Sequence, residues 1–343
     1  MFCLCCSPEP YGFKAEGIAP PMLDIASAMR RRAGYDRRNG YSAAAAWHQE
    51  RTDMVIRNVR AMTMDPHLGE MANTDIHIRD GEIVHLGRLT GSSANEIDGS
   101  GLTALPGSIA DHRHLWAETI GAGVPAATAD PRDIYCILRL ALLDQLSTGV
   151  TCLHHCAIDI GATHAEPALL AQIDSGLRGL FSVPLPASSR VLREFQATWF
   201  CAPQEHLIEL GLAAASDAVP DLPEFALLPV TGDHTAGDTA SPPAAGPHAA
   251  ATLGLEPWIG SLSPGKRADV ILIRNAEPWQ GRSGIPVSSG QIEMVCVDGR
   301  VRKRNGVLLE PNEGLIRREG AEAIARVTGA SSIPSPAAIQ HAG

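Results

Sequence analysis

The sequence predicts an α/β protein in which both chain ends form antiparallel β-hairpins and the middle alternates helices with strands. Residues 109–252 repeat a helical pattern followed by a strand-like stretch, which is typical of parallel strands joined by crossover helices. On either side, short stretches alternate apolar with polar residues and break at Asp-Gly or Asn-Gly, which is typical of hairpins. A chain of 343 residues is also long enough to bury a sizeable core.

Tight-turn signals mark the β-rich ends. DMVIRNVRAMTM predicts a strand soon after Asp53, and Asp80-Gly81 predicts a turn between the strands DIHIR and EIVHL. Near the other end, ADVILIRN and IEMVCVDGRVRKRNGVLL repeat the pattern, with turns predicted at Asp298-Gly299 and Asn305-Gly306.

In the middle segment, RDIYCILRLALLDQLSTG and AEPALLAQIDSGLRGLF each predict a helix that leads through a glycine into a strand. VTCLHHC is the strand predicted after the first of these helices. His164 is expected near the start of the second helix. Residues 231–251 are rich in Gly, Ala, Pro and Thr, and are predicted to form a loop.

Composition excludes several kinds of partner. With 28 Lys and Arg against 38 Asp and Glu, the formal net charge of −10 argues against nucleic acid or an anionic membrane surface and favours a small molecule. No run of about 18 apolar residues predicts a membrane span, and the N-terminus lacks the pattern of a secretory signal. Eight cysteines in so long a chain make no dense disulfide framework, so we expect reduced thiols and a cytoplasmic location.

The stretch PGSIADHRHLW, residues 106–116, places two histidines one residue apart after an apolar run. Since successive side chains of a strand point to opposite faces, His112 and His114 are expected to share one face. Barrel enzymes carry their chemistry at the C-terminal ends of parallel strands, and a pair of imidazoles suits a zinc-like or iron-like ion. A structural or surface histidine pair is the alternative.

Several segments together resemble the amidohydrolase superfamily, in the branch of cytosine deaminase, 8-oxoguanine deaminase and the triazine chlorohydrolases. The resemblance is carried by DMVIRNVRAMTMD, DIHIRDGEIVHLG, LPGSIADHRHLWAE, TGVTCLHHCAID, GLEPWIGSLSPGKRADVILI and VDGRVRKRNGVLL. It implies a metal-dependent-hydrolase (β/α)8-type barrel beside a small β-sandwich formed by the N- and C-terminal segments. It further implies one divalent metal ion, zinc or iron, bound by His112 and His114. The implied reaction is hydrolysis of non-peptide carbon-nitrogen bonds, foremost the deamination of a heterocyclic amine.

The resemblance and the strand and helix patterns together divide the chain into segments. The predicted segments are an unassigned extension over 1–50, a composite β-sandwich over 51–108 and 253–320, a partial barrel over 109–252, and a C-terminal tail over 321–343.

The predicted barrel is short. Residues 109–252 comprise 144 residues, whereas eight βα units occupy about 250 and rarely fewer than about 200. We therefore expect an incomplete barrel that lacks the middle strands, on which the resembled family carries further metal and catalytic positions. Unpaired strand edges of such a barrel, and the family resemblance, favour a homo-oligomer. A catalytically inactive, internally shortened protein is the alternative function.

Asp233 is the candidate for the remaining site position. In VTGDHTAGD it follows the apolar stretch FALLPV, a context like that of the family's last aspartate. The resemblance makes it a metal ligand and catalytic base, with an ordinary loop aspartate as the alternative. Glu205 and His206 are interpreted as a pair at a helix start, or otherwise as a ligand or proton shuttle.

Cys152, His154, His155 and Cys156 form a dense group of donor atoms. One strand cannot aim all four inward, and their spacing is not that of a structural zinc site. By resemblance, His154 and His155 are candidates for lining the substrate pocket, with strand packing as the alternative. Metal storage by this group is a further functional hypothesis.

The segment GSLSPGKRADVILI predicts a turn before a buried strand. Lys266, Arg267 and Asp269 are expected on its exposed side. The sequence shows no Ser-His-Asp order, phosphate loop or dinucleotide fingerprint, so those mechanisms have no support.

Overall fold

Two β-sheets organise the part of the chain that the computed structural model describes. The described residues are 51–121, 123–157, 160, 164–184, 195–196, 199–200, 207–213, 226–228, 245–274 and 289–329. The larger sheet contains β1 (Met54–Met62), β2 (Glu70–Arg79), β3 (Glu82–Gly87), β4 (Glu96–Asp98), β5 (Leu102–Pro106), β11 (Val270–Arg274), β12 (Ile292–Val297), β13 (Arg300–Arg304) and β14 (Val307–Leu308). The smaller sheet contains β6 (Ser108–Arg113), β7 (Val150–Cys156), β8 (Arg178–Pro184), β9 (Ile208–Ala213) and β10 (Ala226–Leu228).

The larger sheet joins the two ends of the chain. Its strands run in the order β14-β13-β12-β11-β5-β1-β2-β3, and β4 pairs with β1. Strand β11 pairs antiparallel with β5, with Val270 opposite Pro106 and Arg274 opposite Leu102. The N- and C-terminal β-segments therefore form one continuous sheet, while their predicted sandwich form stays a prediction.

Three tight turns close the hairpins of this sheet, and all three lie where the sequence predicts them. Asp80-Gly81, Asp298-Gly299 and Asn305-Gly306 join β2 to β3, β12 to β13 and β13 to β14. Their backbone φ angles all lie between 51° and 79°. A two-residue turn with positive φ at both central residues matches the twist of the flanking strands, and Asp-Gly and Asn-Gly are the pairs that favour it.

The smaller sheet is parallel throughout, and its strands lie side by side in chain order from β6 to β10. The two sheets are accompanied by α1 (Leu115–Ile120), α2 (Pro131–Ser147), α3 (Ala165–Ser175), α4 (Pro247–Thr252) and α5 (Glu313–Thr328). Helix α2 connects β6 to β7, and α3 connects β7 to β8. The prediction of a mixed α/β chain with parallel strands and crossover helices is confirmed, while the eight-unit form and its incompleteness stay predictions.

The two crossover helices begin and end at the residues that their sequences favour. The carboxylate of Asp130 accepts a hydrogen bond from the backbone N–H of Arg132 at 2.8 Å, and Pro131 occupies the first turn of α2. Helix α3 begins after His164 and ends at Gly176, whose φ of 70° is the left-handed conformation that stops a helix. Among the described residues, no helix is both long and apolar enough to cross a bilayer.

Two elements differ from the sequence prediction. Helix α4 lies at the end of the segment predicted as a loop, where Pro247 occupies its first turn and alanines follow. Helix α5 runs across the boundary predicted at residue 320. It packs closely on α2, since a Cβ on Gly320 would lie 2.7 Å from Cβ of Leu140. Residues 321–328 therefore belong to the fold rather than to a tail.

Strand alternation gives the larger sheet two buried faces at β11 and β12. Ile271, Val295 and Val297 face the same core as helices α2 and α3. Leu272 and Cys296 face a second core on the opposite side of this sheet, together with the apolar residues of β1 and β2. The larger sheet thus packs one face on the helix layer of the parallel sheet and so fixes the parallel strands in place.

A buried charge network links the two sheets and corrects one prediction. Asp269, expected on the surface, is only 4% exposed, and its carboxylate accepts a 2.8 Å hydrogen bond from Nε of Arg178 on β8. The same guanidinium donates to Asp298 at 3.0 Å, and Asp298 also accepts from Arg51 and Arg267. Burial alone would raise the pKa of Asp298, but the charges of Arg178 and Arg267 outweigh it and hold that pKa well below its usual range.

Candidate metal centre

The two histidines singled out from the sequence lie where strand β6 ends: His112 is its penultimate residue, and His114 follows its last residue, Arg113. Nε2 of His112 lies 2.9 Å from Nε2 of His114, and the ring centroids are 4.7 Å apart at an interplanar angle of 77°. Both side chains are half-buried. The two ring nitrogens therefore converge on one point at the C-terminal end of the first parallel strand.

Helix α1 fixes the backbone that carries His114. The backbone N–H of His114 donates to one carboxylate oxygen of Glu118 at 2.9 Å, and the other oxygen lies 2.5 Å from the guanidinium of Arg113. The carboxylate therefore satisfies an otherwise open donor at the start of α1 and also ties down the end of β6. Trp116 adds to this by burying its ring and donating from Nε1 to the carbonyl of Val124 at 2.8 Å.

Cys156 brings a third donor atom to the same place. It ends β7, the parallel neighbour of β6, and it is fully buried. The ligand atoms of His112, His114 and Cys156 all lie within 4.8 Å of one another. We refer to these three residues as the His-Cys cluster.

The His-Cys cluster fits a zinc-type ion in donor type and in spacing. Zinc takes imidazole nitrogen at 2.0–2.1 Å and thiolate sulfur at about 2.3 Å, so a nitrogen and a sulfur bound to one tetrahedral ion lie about 3.6 Å apart. The donor atoms lie within 4.8 Å of one another, so rotation of the side chains has to bring them closer by at most about 1.2 Å to reach this geometry. Three protein donors with an open fourth position are typical of catalytic zinc sites.

His154 lies on the same face of β7 as Cys156, and both its ring nitrogens are engaged. Nδ1 is 3.0 Å from the carbonyl oxygen of Asp111, and Nε2 is 2.8 Å from the hydroxyl of Ser182. Because a carbonyl only accepts, Nδ1 carries the proton and Nε2 accepts from Ser182. Burial lowers the pKa of His154, which keeps the ring neutral. His154 thus connects β6, β7 and β8 beside the cluster, 5.6 Å from His112 between ring centroids.

His155 lies on the opposite face of β7, away from the His-Cys cluster. Its ring packs edge-on against Phe181 at 5.3 Å, and Phe181 belongs to the core shared with helices α2 and α3. Strand alternation explains the difference between the two adjacent histidines. For His155, the packing alternative describes its surroundings, while the lining of a substrate pocket by His154 or His155 stays a prediction.

Other predicted site residues are not brought to the cluster within the described ranges. Asp233, predicted as a metal ligand and catalytic base, lies outside the described residues, and so do Glu205 and His206. His164 immediately precedes α3, as predicted, and occupies its N-cap position.

Sequence reasoning considered Cys156 as a metal donor only together with Cys152, in the metal-storage hypothesis, and did not place it beside His112 and His114. The signal was available, because Cys152, His154 and Cys156 are spaced two apart and so share a face of the strand. What the sequence lacked was the register of β7 against β6, which contains two irregularities. Cys152 lies at the other end of this face, in an apolar cluster with Ile109 and Leu180.

Comparison with known proteins gives sequence relatives for part of the chain. No family model matches it. It is 31% identical over 116 residues to 5'-deoxyadenosine deaminase of Methanosarcina barkeri, a match covering 29% of this chain and 27% of the relative. The corresponding deaminase of Methanococcoides burtonii is 35% identical over 63 residues, 18% of this chain and 14% of the relative. The chain thus spans about a quarter or less of the length of the curated relatives it matches.

Solved structures cover a larger share of the chain. An adenosine deaminase from Xanthomonas campestris with bound zinc has a TM-score of 0.61 at 13% identity, over 81% of this chain and 99% of its own. Atrazine chlorohydrolase from Arthrobacter aurescens TC1, complexed with zinc, has a TM-score of 0.55 at 17% identity, over 79% of this chain and 100% of its own. An amidohydrolase from a Sargasso Sea environmental sample gives 0.54 at 14% identity.

At these identities the structural likenesses show a shared fold. The sequence matches have higher identities than the structural matches, 31% and 35%, and the matched proteins are named as deaminases. Part of the chain is thus similar in sequence to named deaminases, and its fold is similar to that of solved deaminase and hydrolase structures.

Proposed function

We propose that this chain is a metal-dependent hydrolase that acts on carbon-nitrogen bonds other than peptide bonds, by deaminating a heterocyclic amine. The observation that carries the proposal is the convergence of His112 and His114 at 2.9 Å, with Cys156 beside them, at the end of a parallel strand. Relatives named 5'-deoxyadenosine deaminase support the reaction, and neighbours solved with zinc support a divalent ion.

The chain's own residues have distinct parts in this proposal. His112 and His114 would hold the ion, and Glu118 keeps the backbone of His114 in place. A zinc-type ion, when bound, lowers the pKa of its water to about 7 and so supplies a nucleophile at neutral pH. His154, with its proton held on Nδ1, orients the end of β6 and stays neutral.

Asp233 is proposed as the catalytic base and a further ligand. As the base, Asp233 takes a proton from the attacking water and passes it to the departing nitrogen. The ring carbon thereby gains a hydroxyl group, its bond to nitrogen breaks, and ammonia leaves. Its support is its place in the sequence after FALLPV, together with the resemblance described above.

The experiment is an ammonia-release assay on the purified full chain. The assay is run on chain loaded with zinc or iron, and again after a chelator has removed the metal. Its substrate panel comprises adenosine, 5'-deoxyadenosine, cytosine and aminated triazines. Release that requires the metal and falls to background in His112→Ala supports the proposal. His67→Ala, an exposed histidine outside the cluster, serves as the matched control and should keep the activity.

A folded, metal-loaded chain that releases no ammonia from any member of the panel would contradict the proposed reaction. That result would instead favour the inactive, shortened protein. Ammonia release at equal rates with and without metal would contradict the proposed use of the ion.

A further inference from the structure

We propose that Cys156 is the third protein ligand, so that the ion is held by two imidazoles and one thiolate. This inference rests on the proposed function, because it concerns the same metal. It assigns a ligand that the resemblance does not supply, and it changes the role expected of Asp233.

The position of Cys156 follows from strand geometry. Parallel pairing places the end of β7 beside the end of β6, with His155 opposite Arg113, one residue before His114. Alternation then turns Cys156 to the face that His154 also occupies, away from the face of His155. Its sulfur lies within 4.8 Å of the ring nitrogens of both His112 and His114.

The neighbouring side chains do not compete for the same role. Both nitrogens of His154 are engaged, with Asp111 and with Ser182, which leaves this ring as a support for the site. Cys152 shares the face but lies among the apolar residues Ile109 and Leu180. Of the described cysteines, Cys156 is the one grouped with two histidine ligand atoms.

A thiolate ligand has two chemical consequences. Soft sulfur donors favour zinc over iron, so the proposed centre selects zinc. Three protein ligands also complete a tetrahedral site with one open position, which is the arrangement of catalytic zinc. Asp233 is then not needed as a ligand and remains available for proton transfer alone.

The competing interpretation is a buried cysteine that only packs, as free cysteines commonly do. Cys152 provides a control for it, because it is equally buried, on the same strand and the same face. A bound metal changes the absorption and the reactivity of a thiol that is its ligand, but not those of a thiol that only packs. This difference is measurable without any enzymatic assay.

The test is cobalt substitution of the full chain, read by absorption spectroscopy. Cobalt bound by a thiolate gives a sulfur-to-metal charge-transfer band, which cobalt bound only by nitrogen and oxygen lacks. We expect this band in the wild type and in Cys152→Ser. In Cys156→Ser we expect it to disappear, with cobalt affinity reduced by roughly 100-fold or more, beyond the loss of 10- to 100-fold typical of a supporting residue.

A second measurement needs no substitution at the cluster. Alkylation of the wild-type chain, mapped by mass spectrometry, should be slowed by zinc at Cys156 and unchanged by zinc at Cys152. This keeps the proposal testable should Cys156→Ser fail to fold.

The outcomes separate this inference from the proposed function. Wild-type chain that binds one cobalt per chain without the band, and without protection of Cys156, would overturn the thiolate ligand and leave the histidine site standing. A folded chain that binds no cobalt would overturn both. A band that persists in Cys156→Ser would assign the sulfur to another cysteine and also overturn the inference.

Discussion

Nδ1 of His154 donates a 3.0 Å hydrogen bond to the carbonyl oxygen of Asp111, and so ties the second parallel strand to the first one residue before His112. On its other side the ring accepts from Ser182, on the third strand. The position of His112 therefore depends on a buried neutral imidazole that bridges three strands. The arrangement makes His154 a positioning residue for the proposed metal site.

Replacing His154 by Ala should weaken zinc binding by about 10- to 100-fold while leaving one zinc site per chain. The reason is that the end of β6 loses the bond that holds His112 in place. The measurement is chelator competition on folded protein. His155→Ala is the matched control, since it removes the adjacent buried ring on the opposite face and should lower stability without lowering zinc affinity. Equal zinc affinities for His154→Ala and wild type would contradict the positioning role.

Replacing Gly179 by Ala should destabilise the chain by about 3 kcal/mol or more, through a clash between two parallel strands. A Cβ at this position would lie 1.8 Å from the carbonyl oxygen of Leu153 on β7. Gly314→Ala is the control, because nothing lies within 4 Å of a Cβ there and alanine favours the helix. Urea unfolding at neutral pH measures both variants. A Gly179→Ala chain as stable as Gly314→Ala would show that β7 and β8 do not pair as described.

The network around Asp298 predicts a loss of stability in acid. Because its pKa is depressed in the folded chain, its contribution is complete above the unfolded pKa of about 3.9 and falls as the pH drops toward the folded value. Unfolding free energies measured by urea between pH 7 and pH 3 should therefore decline below about pH 4.

Asp298→Asn provides the control for this prediction. It removes the charge that faces Arg178, Arg267 and Arg51 in a buried site, which costs about 3–5 kcal/mol at pH 7. It should also make the decline in acid shallower. An unchanged acid slope in this variant would assign the pH dependence to other groups.

Much of the fold could be predicted because local chemistry determines it. Asp-Gly and Asn-Gly tolerate the positive φ of hairpin turns, and the apolar periodicity of 131–147 identifies a crossover helix. The spacing of His112 and His114 likewise predicts neighbouring rings, since the period of a strand is two.

Features that depend on distant residues could not be predicted in this way. Asp269 was expected on the surface, but Arg178, 91 residues away in sequence, pairs with it in the interior. The place of Cys156 beside the two histidines depends on the register of β7 against β6, which local sequence does not encode. The faces of His154 and His155 depend on the same register.

The measurement that tests the central claim most directly is metal analysis of the purified full chain beside the double variant His112→Ala, His114→Ala, with folding matched by circular dichroism. The account predicts about one zinc per wild-type chain and none in the double variant, because the two imidazoles supply two of the three proposed ligands. Equal metal content in both, or no metal in a folded wild-type chain after zinc loading, would contradict it.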